Sequence, residues 1–194
     1  MAFLLHAAIK SHPALFFEAM STATLDIKTN PAIRQWAELC ANPAFANLPY
    51  KIETNRSGKI IMSTVSYPHS AFQGQIILLL GRLLPNGEPS VGCAIKTSDG
   101  IKSADVAWIS HERVKPYRRA VCLPIAPEIC VEVASPFYSK KEMQHKVRLY
   151  FKAGATEVWM CDMNGKMSFY SVEDHKKAIP HSILCPEFPD SVDW

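Results

Sequence analysis

Apolar positions along the chain follow two periods, and the switches between them sketch a fold. After Pro31, Trp36, Ala37 and Cys40 follow Ile33 at spacings of three, four and seven, which predicts an amphipathic helix ending before Pro43. Tyr50 to Thr54 and Lys59 to Thr64 alternate instead, and Asn55-Arg56-Ser57-Gly58 between them predicts a hairpin with a four-residue loop. A second helix is expected after Pro68, with Ser70 and Gln73 as an S-x-x-Q capping box. Ile76, Ile77, Leu80, Leu83 and Leu84 are its buried stripe, until Pro85-Asn86-Gly87 stops it. Strands follow at Ser90 to Thr97 and Ser103 to Ile109 around a Ser98-Asp99-Gly100 turn, then at Glu128 to Ala134. Ser139 and Glu142 form a capping box for a helix that runs to Ala153 and stops at Gly154. Thr156 to Asp162 and Lys166 to Val172 are strands around Asn164-Gly165. Hairpins before and after a strand-helix-strand unit predict an α/β chain, bordering on α+β, with a mixed β-sheet flanked by helices.

Composition narrows the picture. With 194 residues and 48% hydrophobic content, residues 26–194 are read as a single domain behind an N-terminal extension, residues 1–25. Against 21 Lys and Arg stand 18 Asp and Glu, so a net charge of +3 excludes a polycation. A polyanionic partner would need a local patch. The apolar run Ile76 to Leu80 is far shorter than a bilayer span, so no membrane is expected among the partners. Ala2 to Leu5 and Ala7 to Ile9 resemble a signal core, but His6 and Lys10 interrupt it. The six cysteines never approach within a zinc-knuckle spacing, and they predict reduced thiols and a cytoplasmic location.

Charge in apolar surroundings directs attention to residues 104–162. Asp105 interrupts the strand Ala104 to Ile109, and Glu132 interrupts Ile129 to Ala134. A carboxylate there costs stability unless a cation, a metal or dense hydrogen bonding compensates it, and two in one sheet suggest a shared partner. On the following helix Lys146 lies about 60° from the stripe Met143, Val147 and Tyr150, placed either to reach back toward Glu132 or to snorkel into solvent. Lys141 and Arg148 fall on the opposite side. Together with Arg113, Lys115, Arg118 and Arg119 they are candidates for contacting nucleic-acid phosphates. A hydrolase using Ser135 or a cysteine would lack a positioned histidine base.

Four blocks carry a resemblance: Ala104-Asp105-Val106-Ala107-Trp108, then Val131-Glu132-Val133-Ala134-Ser135-Pro136, then Lys146-Val147-Arg148-Leu149-Tyr150, then Ala153-Gly154-Ala155-Thr156-Glu157-Val158-Trp159. In this order they resemble the Uma2 family, also called DUF820, of the PD-(D/E)XK restriction-endonuclease-like nucleases, a family abundant in cyanobacteria. The likeness spans residues 45–190 and includes the hairpin near Gly58 and the closing Cys185-Pro186-Glu187-Phe188-Pro189. It implies a restriction-endonuclease-like core. It also implies that Asp105 and Glu132 hold Mg2+ or Mn2+, with the Val133 carbonyl as a further ligand. The lysine expected two positions after Glu132 is replaced by Ala134, and Lys146 is its substitute. Gln73 stands where the family often has a histidine. Glu53 matches a family glutamate, although its pattern alone reads as a solvated strand residue. The implied activity is metal-dependent hydrolysis of phosphodiester bonds, in DNA, by a homodimer. The alternative is a catalytically silent nuclease-fold module for nucleic-acid binding or assembly, which Ala134 and the weak net charge favour.

Overall fold

A computed structural model describes residues 28–135 and 139–193, so the expected extension over residues 1–25 lies outside the described residues. Helix α1, Pro31–Ala41, starts where the Asn30 side chain accepts from the Ala32 and Ile33 N–H groups and Pro31 supplies a φ already suited to a first turn. The hairpin β1, Tyr50–Thr54, and β2, Ile60–Thr64, forms a separate two-stranded antiparallel sheet. Helix α2 spans Tyr67–Leu83. It begins before the expected Ser70, because Pro68 fits the first turn instead of preceding it. The Ser70 N–H already bonds to the Ser66 carbonyl, so Ser70 and Gln73 are helix residues and not a capping box.

Five strands make the main sheet in the order β3-β4-β5-β6-β7: Gly87–Thr97, Gly100–Ser110, Ile129–Val133, Glu157–Cys161 and Met167–Ser171. Only β5 and β6 run parallel, because helix α4, Lys140–Lys152, crosses between them. The short helix α3, His111–Val114, follows β4. The mixed sheet flanked by helices is the architecture expected above. Strand β3 starts earlier than expected, at Gly87, and runs through Pro89. At the sheet edge a proline's missing N–H removes no bond on the outer side.

Each face of the sheet is closed by one helix. Phe72, Ile76 and Leu80 of α2 pack with Val106, Trp108, Val131 and Trp159, while Val147 and Tyr150 of α4 pack with Cys130 and Val158. Glu157 lies fully buried and accepts from Trp159 Nε1, Ser182 Oγ and the N–H groups of Ile183 and Leu184, which fastens the C-terminal segment to β6. A buried carboxylate with four donors is satisfied, and its role is structural. All six cysteines are free, and no described helix is long and apolar enough to cross a membrane.

Strand β5 pairs with β4 only over Val106 to Trp108. Further back along β4, the Ile101 N–H bonds to Thr54 Oγ1 and the Ser103 N–H to Glu53 Oε1, so β1 lies against the free part of that strand. Gly100 makes the approach possible. Its φ is +80°, and a Cβ there would sit 2.6 Å from the Thr54 carbonyl oxygen.

Candidate active site

Alternation along β1 sends Lys51 and Glu53 to the same side. That side meets Asp105, midway along β4, and Glu132, next to last in β5. Helix α4 brings Lys146 to the same point. The four groups Glu53, Asp105, Glu132 and Lys146 are between 2% and 6% exposed, so each charge has exchanged water for protein partners.

Those partners form one network. Lys146 Nζ lies 2.8 Å from Glu53 Oε1 and 3.1 Å from Glu132 Oε2. Lys51 Nζ lies 2.7 Å from Asp105 Oδ1, 3.3 Å from Glu132 Oε2 and 3.9 Å from Glu53 Oε1. The Tyr150 hydroxyl donates to Glu132 Oε1 at 2.5 Å. Asp105 Oδ2 accepts the Val133 N–H at 2.8 Å and sits 3.2 Å from His69 Nε2. Three carboxylates therefore face two ammonium groups and a histidine.

The charges bias one another's titration. Burial raises the Asp105 carboxyl, but Lys51 and His69 outweigh it and hold it well below the carboxylate range. Burial likewise raises Glu53, and Lys146 and Lys51 more than reverse this. Glu132 goes the other way: burial, helped by Asp105 and Glu53, outweighs the two ammonium groups and leaves it raised. Both lysines are raised, because the carboxylates overcome the effect of burial.

The signs fix an acid response. A depressed carboxyl stabilises the fold above its unfolded pKa, about 4, and that contribution is lost as pH falls through the folded value. Asp105 and Glu53 act in this sense and Glu132 in the opposite one. The melting temperature of the native chain is therefore expected to fall on acidification below about pH 4. Asp105→Asn should fall less steeply, as thermal melts followed by circular dichroism would show. Parallel curves for the two proteins down to pH 2 would contradict this.

The structure brings together Asp105, Glu132 and Lys146, the three positions that the sequence singles out, and adds Glu53 to them. Glu53 is a buried ion-pair partner and not a solvated strand residue, because the backbone of β4 and Lys146 both use it. Lys146 does not snorkel. Gln73 does not touch the cluster by any hydrogen bond described; His69, four residues earlier on the same helix face, occupies that place. Lys51, His69 and Tyr150 were not foreseen as site residues. The Lys51 and Glu53 spacing on one strand was the available signal. The basic candidates lie elsewhere: Arg113 donates to the Gly154 carbonyl beyond the end of α4, and Arg118 pairs with Glu88. Lys115, Arg119, Lys141 and Arg148 are exposed. The Val133 group observed at the cluster is its N–H.

A family model described as "Putative restriction endonuclease", Uma2, matches residues 36–178, a span that contains every residue of this cluster. The chain belongs to the Uma2 family. A crystal structure of "a putative nuclease belonging to DUF820" from Anabaena variabilis ATCC 29413 is similar to it, at 18% sequence identity and a TM-score of 0.62. The match covers 72% of this chain and 86% of that one, and shows that the Uma2 chain has the same fold. A comparison with curated proteins finds no match. Within this Uma2 chain the acidic pair thus lies in the family's region, on adjoining strands.

Proposed function

We propose that the chain is a divalent-metal-dependent endonuclease that hydrolyses phosphodiester bonds in DNA. The observation that supports this best is the convergence of Asp105, Glu132 and Lys146, from two strands and a helix, on one buried network.

Fit to a metal rests on the donor set. Glu53, Asp105 and Glu132 outnumber Lys51 and Lys146 by one charge, so a further cation is favoured. Among the described residues no three His, Cys, Asp or Glu side chains form a metal cage. Mg2+ does not require one, since it uses one or two carboxylates and completes its shell with water and substrate phosphate. Asp105 and Glu132 would hold Mg2+ or Mn2+, with the Val133 carbonyl as an additional ligand. The ion would neutralise charge building on the phosphate. For this, Lys51 must leave its place between the two carboxylates, and its unbranched side chain borders an open groove into which it can swing.

Lys146 keeps its proton, being paired to two carboxylates, so it donates hydrogen bonds to the attacking water or to the phosphate oxygens and does not act as a base. Glu53 holds that ammonium in place. His69 and the Val133 N–H fix the orientation of Asp105 from one side. A second reading, the silent module, is favoured by one feature, the Lys51 ammonium bridging Asp105 and Glu132.

Cleavage separates the two. Native protein is expected to cut at least one form of DNA, single strand or duplex, with Mg2+ or Mn2+ and to stop on addition of EDTA. Equal cutting in EDTA would remove the metal from the reading. Absence of cutting with either metal would support the silent module.

A further inference from the structure

We propose that the groove beside the acidic network seats an unpaired nucleobase next to the phosphodiester being cut, so that the substrate class is a strand unpaired at that point. The proposal rests on the nuclease reading above. The groove has a volume of about 700 Å3, and Asp105 and Lys51 are among the residues that line it. Whatever fills it therefore adjoins the reacting group.

Its lining says what that filler is. Trp36, Phe45 and Tyr50 border it together with Val65 and Val91. Tyr50, Val65 and Val91 are 43%, 42% and 54% exposed, so apolar surface is held open to water along a concave wall. The Trp36 indole is pinned by donating its Nε1 hydrogen to the Val121 carbonyl at 3.1 Å. Lys51 is the sole cation among the described lining residues, so the groove is not a track for successive phosphates. Aromatic side chains with a few neutral polar groups, here Gln73 and Ser103, suit a base, which offers a π face for stacking and an edge for hydrogen bonds. In an intact duplex those faces are already stacked on neighbours. A base can enter only from a single strand or after leaving the helix, and flipping it out costs a few kcal/mol.

The test uses the full chain and a 2-aminopurine-labelled oligonucleotide, single-stranded or annealed, titrated in EDTA so that no strand is cut. The native chain is expected to bind the single strand at least tenfold more tightly than the duplex, with quenching of the probe. Tyr50→Ala should weaken single-strand binding about tenfold, the usual effect of removing one stacking ring. Tyr50→Phe, which keeps the ring, should restore it, and matching thermal melts would show that all three proteins fold. Equal affinity for both forms, no binding of either, or unchanged single-strand binding by Tyr50→Ala overturns the proposal. The nuclease reading fails on a different result: no cleavage of either strand form by the native chain with Mg2+ or Mn2+, whatever the binding pattern.

Discussion

Asp105→Asn is expected to lower DNA cleavage by about 1000-fold or more, equivalent to about 4 kcal/mol of transition-state stabilisation, while leaving the fold intact. The substitution is nearly isosteric, and an amide oxygen can still accept the Val133 N–H that now bonds to Oδ2. What it removes is a formal negative charge, the property needed of a metal ligand. Some stability at neutral pH is lost with the depressed carboxyl, but the fold persists because the network starts with three carboxylates against two ammonium groups. Losing one carboxylate leaves charges matched, with Lys51 still 3.3 Å from Glu132. Single-turnover cleavage with Mg2+, set beside thermal melts of the same preparations, separates the two effects. Near-native cleavage by a folded Asp105→Asn protein would remove Asp105 from the chemistry.

Legibility in the sequence followed the range of the interactions. Asp105 and Glu132 were visible because each breaks an apolar strand, a local contrast that only a compensating partner explains. Lys146 was visible because helical periodicity places it beside a buried stripe. Lys51 offered no such contrast. It lies on a short hairpin strand where lysines are ordinarily solvated, and its partners come 54 and 81 positions later. His69 was hidden by the placement of the helix start, since a helix capped by Ser70 leaves the histidine outside it. Once Tyr67 is the first residue, His69 falls one turn before Gln73 on the same face. The sheet order was legible in outline from hairpins flanking one crossover. The fastening of the C-terminal segment by Glu157 was not, because its partners Ser182, Ile183 and Leu184 stand 25 to 27 positions away in an irregular stretch.

Lys146→Met is expected to cost about 3–5 kcal/mol of folding stability as well as cleavage, because it removes one member of a buried ion pair and leaves the others charged. Methionine fills similar volume on the stripe beside Tyr150, so the loss comes from charge rather than from a cavity. Glu53 then keeps only the Ser103 N–H at 3.0 Å and a distant Lys51, and Glu132 must share that same lysine with Asp105. Adding Glu53→Gln relieves one stranded carboxylate while its amide oxygen can still accept from Ser103. The double variant should thus be more stable than the sum of the single losses predicts, by about 1–3 kcal/mol. Urea unfolding gives the numbers through shifts in midpoint at unchanged slope. A raised lysine contributes in full below its unfolded pKa, about 10.4, and loses its contribution as pH rises through the folded value. The gap between native and Lys146→Met proteins should accordingly hold steady from pH 6 to 9 and narrow only above about pH 10. A loss below about 1 kcal/mol would mean that the ammonium behaves as an exposed surface charge. The network that supports the nuclease reading would then have no cation from helix α4.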